Sequence, residues 1–471
     1  MAGICSWGSY VPLYRLSREE IAKAWGGRPV PGEKSVSNFD EDTLTMGVEA
    51  TIECLKGFDR RQIDGLCFSS TTFPFKEKQT ASMVATVADL KKEIITMDCA
   101  NSLRSGTIGV KWAIDVIKAG SARKVLVTAA DSRLGYPNSA LEQNFGDGAA
   151  ALLLGDTEVA VNIEGSYSGS HVIDDLWRKE EDKFVQTWEE RFNLAHGCQK
   201  VVQEAVTGAM EKYNLRPEDF SRVVIYGPDA RSHAAMVRAL GFNKNQIQPP
   251  LFDVMGNTGC AFPLMLLMAA LEKAKPGDKI LLASYGDGSD VLILQATEEI
   301  EKIRKRRRGL SEWLASKKML PNYLKYLTLR KLIPDEPSGM PVISPPATLL
   351  YREQNSILRF HGSKCKGCGE VQIPVQRICP NCRSKDEYEE VRISDKQAKV
   401  FVSTEDTLGY GDEPSPLWAI VDVEGGGRMK IQVADAERED VKIGTPLEMT
   451  FRKFLRRGGV PTYFWKGRLP R

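Results

Sequence analysis

The feature that most constrains this chain is a duplication: its first 300 residues read as two copies of one pattern. The segment beginning at Asp98, DCANSLRSGTIGVKWAIDVIKAGSARKVLVTAAD, is matched by DVMGNTGCAFPLMLLMAALEKAKPGDKILLASYG, beginning at Asp253. In each copy a lysine opens the next β-rich run 26 residues on, at Lys124 and Lys279. The offset between the copies is 155 residues, and Asp64 and Asp219, beside the runs IDGLCFSST and EDFSRVVIY, keep the same offset. One offset held across several elements is a duplication rather than chance. GDGAAALLLG at 146–155 pairs with GDGSDVLILQ at 286–295 at an offset of 140, which predicts a longer loop before the first copy's last strands. Each copy reads as helix, strand, loop, helix, strand, buried helix, strand, strand. Such alternation predicts βαβ units and a sheet covered by helices. The run at 261–271 is too short to span a bilayer and apolar on every side, so it is expected as a helix enclosed between two layers. Its counterpart carries Ile108, Trp112, Ala113, Val116 and Ile117 at helical spacing and ends at Gly120, an expected C-cap. Two such halves make a five-layered α/β/α/β/α arrangement.

Composition narrows the function classes. Lys plus Arg is 64 against Asp plus Glu 62, too balanced for a protein that grips nucleic acid over its whole surface. Mean hydropathy is negative, and no membrane span is expected. The opening MAGICSWGSY has no basic segment followed by an apolar stretch, so no secretory signal is expected. Of ten cysteines, Cys5, Cys54, Cys67, Cys99, Cys198 and Cys260 are scattered, mostly through apolar segments, and the other four form two C-x-x-C pairs. That usage points to a reducing cytoplasm.

With the duplicated half, the GNTG turn at 256–259, the DLWR run at 175–178 and the GDGAAALLLG strand in view, the first 300 residues resemble the thiolase superfamily. Within it they are most similar to the hydroxymethylglutaryl-CoA synthases, particularly archaeal-type members. The resemblance implies a four-part site. Its nucleophilic Cys lies in a pattern like A-C-x-A-G-T, where a helix N-terminus lowers the thiol pKa. The matching stretch here is Ser102-Leu103-Arg104-Ser105-Gly106-Thr107, so Leu103 stands at the nucleophile position. Leucine cannot attack a thioester. The family's His, in a pattern like H-Q-P-N-G-R, falls on Tyr226. Its acid/base Glu, in S-E-S followed seven residues later by Lys, falls on Thr71 if Lys78 is the matching lysine. The Asn of the GNTG turn is retained as Asn257.

Other residues are weighed for the lost roles. Cys99 and Cys260 read first as buried structural thiols. Tyr226 and Asn257 together are able to polarise a carbonyl, which leaves Cys-independent aldol chemistry open and marks both as substrate-binding candidates. His233 is expected on a helix surface, and no Ser-His-Asp set or Walker-type loop occurs. The Gly-Asp-Gly runs at 146 and 286 are expected as tight strand-entry turns.

The last third changes character. From Glu298 the chain is rich in charged helix formers, with Arg304-Lys305-Arg306-Arg307-Arg308 near the start. A solvated helix or linker is the simpler reading, and contact with coenzyme A phosphates or an acidic partner the alternative. Pro334, Pro337, Pro341, Pro345 and Pro346 mark a domain boundary. Cys365, Cys368, Cys379 and Cys382 follow in C-x2-C-x10-C-x2-C spacing. Four thiolates close tetrahedrally around Zn2+ with no open position, so a structural zinc site is expected, with a redox pair as the other reading. Short β runs at 400–402, 419–423, 429–433, 447–451 and 463–465 have the count and spacing of a small OB-type barrel. This segment is similar to the zinc-ribbon/OB-fold proteins that accompany acyl-CoA thiolases, in which, the resemblance implies, the module bridges thiolase-fold subunits and guards the acyl-CoA channel.

The expected organisation is therefore a thiolase-like N-terminal half at 1–165, its second half at 166–300, a charged helical linker at 301–345, a zinc ribbon at 346–392 and an OB-fold at 393–471. The favoured function is a subunit of an acyl-CoA C–C bond-forming or bond-breaking complex. In that reading the chain is non-catalytic and scaffolds a separately encoded thiolase as a dimer or hetero-oligomer. The alternative is a Cys-independent enzyme, aldolase-type or acyltransferase, using Tyr226 and Asn257. Structural Zn2+ and a coenzyme A thioester are the expected ligands; nucleic acid and membrane are not expected as partners.

Overall fold

The computed structural model describes residues 2–333, 345–407, 416–457 and 460–471. The chain divides into two compact units. The first comprises Met1–Ser37 and Asp42–Leu327, the second Asn38–Glu41 and Thr328–Arg471. Among the described residues, no helix is long and apolar enough to cross a membrane.

The first unit is built on nine strands: β1 (Gly3–Tyr10), β2 (Gly65–Ser69), β3 (Ile95–Cys99), β4 (Lys124–Asp131), β5 (Gly148–Gly155), β6 (Val161–Ser170), β7 (Arg222–Ile225), β8 (Lys279–Ala283) and β9 (Gly288–Ala296). Their order across the sheet is β7-β8-β9-β6-β1-β5-β4-β2-β3. The duplication is visible in this order. The first copy runs β3-β2-β4-β5-β1, with β2 parallel to β3 and β4, and β5 antiparallel to β4 and β1. The second runs β7-β8-β9-β6, with β7 parallel to β8, and β9 antiparallel to β8 and β6. Where a counterpart of β3 would lie, the second copy has the parallel bridge between Val223 and Ile247. The halves meet through β1 and β6, antiparallel at Gly3–Asn162 and Ile4–Val161. β4 and β8 begin at the two repeat lysines, and β5 and β9 begin at the second glycine of each Gly-Asp-Gly turn. The extra loop length of the first copy holds a short helix, Ala140–Asn144.

Five helices matter most: α1 (Thr43–Cys54), α2 (Ser105–Lys118), α3 (Lys200–Tyr213), α4 (Ala230–Ala239) and α5 (Phe262–Leu271). All ten residues of α5 are buried, as an all-round apolar sequence requires. α2 meets α5 at Gly106, where a Cβ would lie 2.7 Å from the Cys260 carbonyl oxygen and 3.3 Å from Leu264 Cδ1. Gly106 and Gly109 thus draw their own face inward. The buried stripe of α2 is Val110, Ala113, Ile114 and Ile117, while Ile108, Trp112 and Val116 are half-buried, a rotation of the expected face. Gly120 has φ +76° just beyond the helix, the left-handed conformation expected of it.

The charged stretch from Glu298 to Leu327 is folded into this unit rather than serving as a free linker. Helices Glu299–Arg304, Leu310–Ala315 and Tyr323–Leu329 follow one another, and Trp313 and Tyr326 are buried. Arg304 donates to the carbonyls of Leu271 and Ala274, satisfying orphan acceptors at the C-terminal end of α5 and just past it. Arg307 donates to the carbonyls of Trp7 (2.9 Å) and Cys54 (3.2 Å), and Arg308 stacks over Trp313. These three arginines are committed to the fold.

In the second unit, Pro345 and Pro346 precede helix Ala347–Arg352; Pro334, Pro337 and Pro341 lie outside the described residues. A three-stranded sheet of His361–Cys365, Val371–Gln372 and Tyr388–Arg392 is followed by a closed barrel. Its strands, in order around the barrel, are Ala398–Glu405, Leu417–Val423, Arg428–Val433, Val460–Arg468 and Pro446–Arg457. Each expected β run falls inside one of them. The interior is filled by alternate residues such as Val400, Ala419, Val421, Ile431, Phe451 and Trp465. On the opposite face of these strands lies a buried ion network: Arg452 pairs with Asp40 (3.1 Å), Glu41 (3.1 Å) and Asp435, and Lys466 pairs with Asp40 (2.9 Å).

Candidate functional site

The end of β7 delivers Tyr226, and the GNTG turn ahead of α5 delivers Asn257. Both are buried, and the Asn257 amide nitrogen donates to the Tyr226 hydroxyl at 3.1 Å. The amide is oriented by its other end. Arg133, which can only donate, gives a 2.9 Å hydrogen bond to Asn257 Oδ1, and the Gly259 N–H gives another at 3.0 Å. Tyr226 therefore accepts from Asn257, and among the described residues no acceptor takes its own proton. Burial pushes the Tyr226 phenol up to about 12, so it stays a donor at neutral pH.

Across the same cavity lies a second pair. The Tyr285 hydroxyl donates to Asp175 Oδ2 at 2.7 Å, while the Leu176 N–H donates to Oδ1 at 2.6 Å. Burial raises the Asp175 carboxyl above its ordinary range, and burial beside Asp175 drives the Tyr285 phenol far upward. The rings of Tyr226 and Tyr285 stack with centroids 6.2 Å apart. The cavity they line has a volume of about 620 Å3. Leu141, Phe145, Leu176 and Leu194 supply apolar walls, and the exposed side chains of Arg191 and Arg231 stand at its rim.

The structure thus brings together two of the four expected positions, Tyr226 and Asn257. Leu103 is half-buried in the turn before α2 and does not line this cavity. The amides there are closely covered: a Cβ on Gly286 would lie 2.8 Å from both Leu103 N and Arg104 N, and Ser102 Oγ donates to the Gly286 carbonyl at 2.9 Å. Arg104 holds the same loop through Asp290 (3.2 Å) and the Gly169 carbonyl (3.1 Å). Thr71 is also outside the cavity lining. Its N–H and hydroxyl bind Asp131 Oδ1 at 2.7 and 3.0 Å, and Arg178 donates to its carbonyl at 2.6 Å.

The remaining thiols are poor nucleophiles in place. Burial raises Cys99 above its ordinary value and Cys198 and Cys260 well above it. Cys198 lines the cavity, whereas Cys260 sits at the entry to α5 and donates to the Ser69 carbonyl at 3.4 Å. His233 is not on a helix surface as expected. It is on the inner face of α4 with Ser232 and Met236, edge-on to Phe252, and burial lowers its pKa to about 4. Sequence reasoning missed the roles of Asp175, Tyr285, Arg133 and Asp131. Two signals were available: Asp175 opens the DLWR run, and Tyr285 immediately precedes the second Gly-Asp-Gly turn.

In the second unit the sulfurs of Cys365, Cys368, Cys379 and Cys382 all lie within 4.8 Å of one another. Each C-x-x-C pair closes on itself, the Gly369 N–H bonding the Cys365 carbonyl and the Arg383 N–H the Cys379 carbonyl, both at 2.9 Å. Four sulfurs converging from two such turns fit a closed tetrahedral metal site.

Comparison with known proteins places this architecture. Over 343 residues the chain is 31% identical to the hydroxymethylglutaryl-CoA synthase of Pyrobaculum arsenaticum, covering 70% of this chain and 98% of that one. The chain belongs to the hydroxymethylglutaryl-CoA synthase family. The enzyme of the same name from Methanosarcina mazei is 33% identical over 338 residues, covering 69% of this chain and 95% of its own. Residues 97–171 match the 3-oxoacyl-[acyl-carrier-protein] synthase III family and residues 210–294 its C-terminal family, one region in each repeat. Residues 358–389 match the ChsH2 rubredoxin-like zinc ribbon family and hold all four cysteines. Among solved structures, MvaS in complex with 3-hydroxy-3-methylglutaryl coenzyme A shares the fold with TM-score 0.63 at 20% identity, covering 73% of this chain and 94% of that one. The HMG synthase of the curacin biosynthetic pathway, in complex with acetyl donor-ACP, gives 0.63 at 19%, covering 83% and 100%. The first unit is thus a thiolase-like fold of this family, followed by a zinc ribbon and a closed five-stranded barrel.

Proposed function

We propose that this chain binds a coenzyme A thioester in the cavity at Tyr226 and Asn257 and makes or breaks a C–C bond by aldol-type chemistry, with no acyl-enzyme. The observation that carries the reading is the orientation of Asn257. With Arg133 on its oxygen, its nitrogen faces Tyr226, and the Tyr226 proton is left to a ligand carbonyl. A neutral phenol in a buried setting stabilises negative charge developing on a thioester oxygen without itself ionising. Leu103 supplies no thiolate for acyl transfer. A coenzyme A ligand is supported by fold neighbours solved with 3-hydroxy-3-methylglutaryl coenzyme A and with CoA. Cys365, Cys368, Cys379 and Cys382 would hold a Zn2+ ion whose contribution is to knit the ribbon. The test is turnover of β-hydroxyacyl-CoA thioesters by the purified chain, read as release of the carbonyl fragment. Tyr226→Phe should lower kcat by about 10²–10³-fold, the usual cost of losing one such donor. Full activity in that variant overturns the reading.

A second reading is that the chain scaffolds a separately encoded thiolase as part of a dimer or hetero-oligomer. Leu103 at the nucleophile position, under the close cover of Gly286, favours it. An inert chain whose partner carries all turnover, unaffected by Tyr226→Phe, is the outcome it requires.

A further inference from the structure

We propose that Asp175, held by Tyr285, is the proton-transferring base of this cavity, and that it acts on the α-carbon of an acyl thioester whose carbonyl oxygen Tyr226 holds. This deepens the reading above and rests on it for the place of the carbonyl. Neither residue belongs to the Cys, His and Glu positions of the family pattern, which here are Leu103, Tyr226 and Thr71.

Three observations converge on it. First, Asp175 lines the cavity together with Tyr226 and Asn257, and the stacked rings of Tyr285 and Tyr226 connect the two polar pairs. Second, Asp175 is positioned at both oxygens, by Tyr285 Oη at 2.7 Å and by the Leu176 N–H at 2.6 Å, with lone pairs left on each oxygen. Third, no cationic partner pairs with it among the described ion pairs, and Leu176 and Leu194 line the cavity beside it, while the charged side chains of Glu190, Arg191, Asp229 and Arg231 also line the cavity. The titratable groups that interact with it are Tyr285, Tyr226, Cys198 and Asp287, none of them positively charged. A carboxylate so placed is more basic than an exposed one, while a neutral phenol opposite is an acid; two titratable groups with unlike environments in one cavity are the pattern of an acid–base pair.

The step balances without any further reagent. Asp175 takes a proton from Cα; the C–H electron pair becomes the Cα–C double bond, and the carbonyl π pair moves to the thioester oxygen, which receives the Tyr226 hydrogen bond. The enolate then adds to a carbonyl carbon, whose oxygen takes the proton from the Asp175 carboxylic acid as the new Cα–C bond forms, or Cα reclaims that proton. In the cleavage direction Asp175 takes the β-hydroxyl proton, the Cα–Cβ bond breaks as the Cβ carbonyl forms, and the same enolate results. Tyr285 is a positioning residue: its hydrogen bond fixes the carboxylate and favours the charged form.

The experiment is α-proton exchange of acetyl-CoA and hexanoyl-CoA in D2O by the full chain, read by mass spectrometry, beside a cleavage assay on β-hydroxyacyl-CoA. Wild type should incorporate deuterium, and Asp175→Asn should slow this by 100-fold or more, in line with the ~10²–10⁴ attributed to general bases. Its affinity for hexanoyl-CoA should stay within about threefold of wild type, which separates lost chemistry from lost folding. Tyr285→Phe should keep measurable exchange but move the acid limb of its pH profile upward, because the bond that favours the carboxylate is gone; a merely structural loss would lower the rate at every pH alike. Exchange without cleavage would uphold the base and sink the aldol reading. Cleavage that survives Asp175→Asn would uphold the aldol reading and overturn the base. No exchange by wild type overturns the base.

Discussion

Replacing Asp131 by Ala should loosen the loop at 70–72 and the entry to α5 just beyond Asn257, and the size of the effect follows from what the carboxylate holds. Asp131 ends β4 with zero exposure. Its Oδ1 accepts from Ser70 Oγ (3.0 Å), Thr71 N (2.7 Å), Thr71 Oγ1 (3.0 Å) and Thr72 Oγ1 (2.9 Å), and its Oδ2 from Cys260 N (2.8 Å). The hydroxyls are able to rotate toward other acceptors, but the N–H groups of Thr71 and Cys260 are fixed by the backbone. Each stranded buried donor costs about 1–3 kcal/mol, so Asp131→Ala should cost roughly 2–6 kcal/mol. That is a large share of the ~5–15 kcal/mol that holds a typical domain together. At about 2 °C per kcal/mol for a unit of this size, the first unit's transition should fall by roughly 4–12 °C. Asp131→Asn keeps the shape and one acceptor oxygen and should lose about half as much. Gly259→Ala offers an independent check: Gly259 has φ +66°, and a Cβ there would overlap the Asp131 carboxylate. Calorimetry gives the global loss, and hydrogen exchange at peptides covering 70–72 and 260 gives the local one. A loss under ~1 kcal/mol for Asp131→Ala, or faster exchange everywhere except in those peptides, would refute the reasoning.

The purified chain should contain about one zinc per molecule, and Cys368→Ser should release it and unfold the ribbon while leaving the first unit's transition in place; full zinc retention would contradict the four-cysteine site. Arg452→Ala should destabilise the second unit by about 3–5 kcal/mol, because it removes the cation shared by the buried carboxylates of Asp40, Glu41 and Asp435. Burial alone would raise the Asp40 carboxyl, but Lys466 and Arg452 outweigh it and hold the group below its usual range. A depressed folded-state pKa adds stability above the unfolded value, near 3.9, and loses it as pH falls. The gap between wild type and Arg452→Ala should accordingly hold from pH 7 down to about pH 5 and narrow as unfolding is measured below about pH 4, and a gap that stays constant to about pH 2 would show that charge is not the cause.

What the sequence made legible, and what it did not, divides along a physical line. Strand starts at Lys124 and Lys279, the enclosed α5 and the five barrel strands could be read because duplication, all-round apolarity and alternation are local consequences of which face is buried. The four cysteines were readable because a C-x-x-C turn sets its own geometry. The face of α2 was misjudged because Gly106 and Gly109 contribute no hydropathy, yet decide the closest approach to the neighbouring layer. Arg304 and Arg307 read as a solvated charge run, although the carbonyls they satisfy lie in residues as distant in sequence as Trp7 and Cys54. Asp175 and Tyr285 are 110 residues apart, and no periodicity links them. Tyr226 and Asn257 were found through their positions in a family pattern, but the direction of the Asn257 amide required Arg133, which no motif marks.

The central claim is that this chain handles a coenzyme A thioester through Tyr226 and without a covalent intermediate. The most direct test is intact-mass measurement of the chain after mixing with acetyl-CoA and with a β-hydroxyacyl-CoA, sampled during turnover. The account predicts an unchanged mass at every time point while the carbonyl fragment is released, with release suppressed in Tyr226→Phe. An acyl adduct mapped to Cys99, Cys198 or Cys260, appearing and decaying at the rate of turnover, would contradict it.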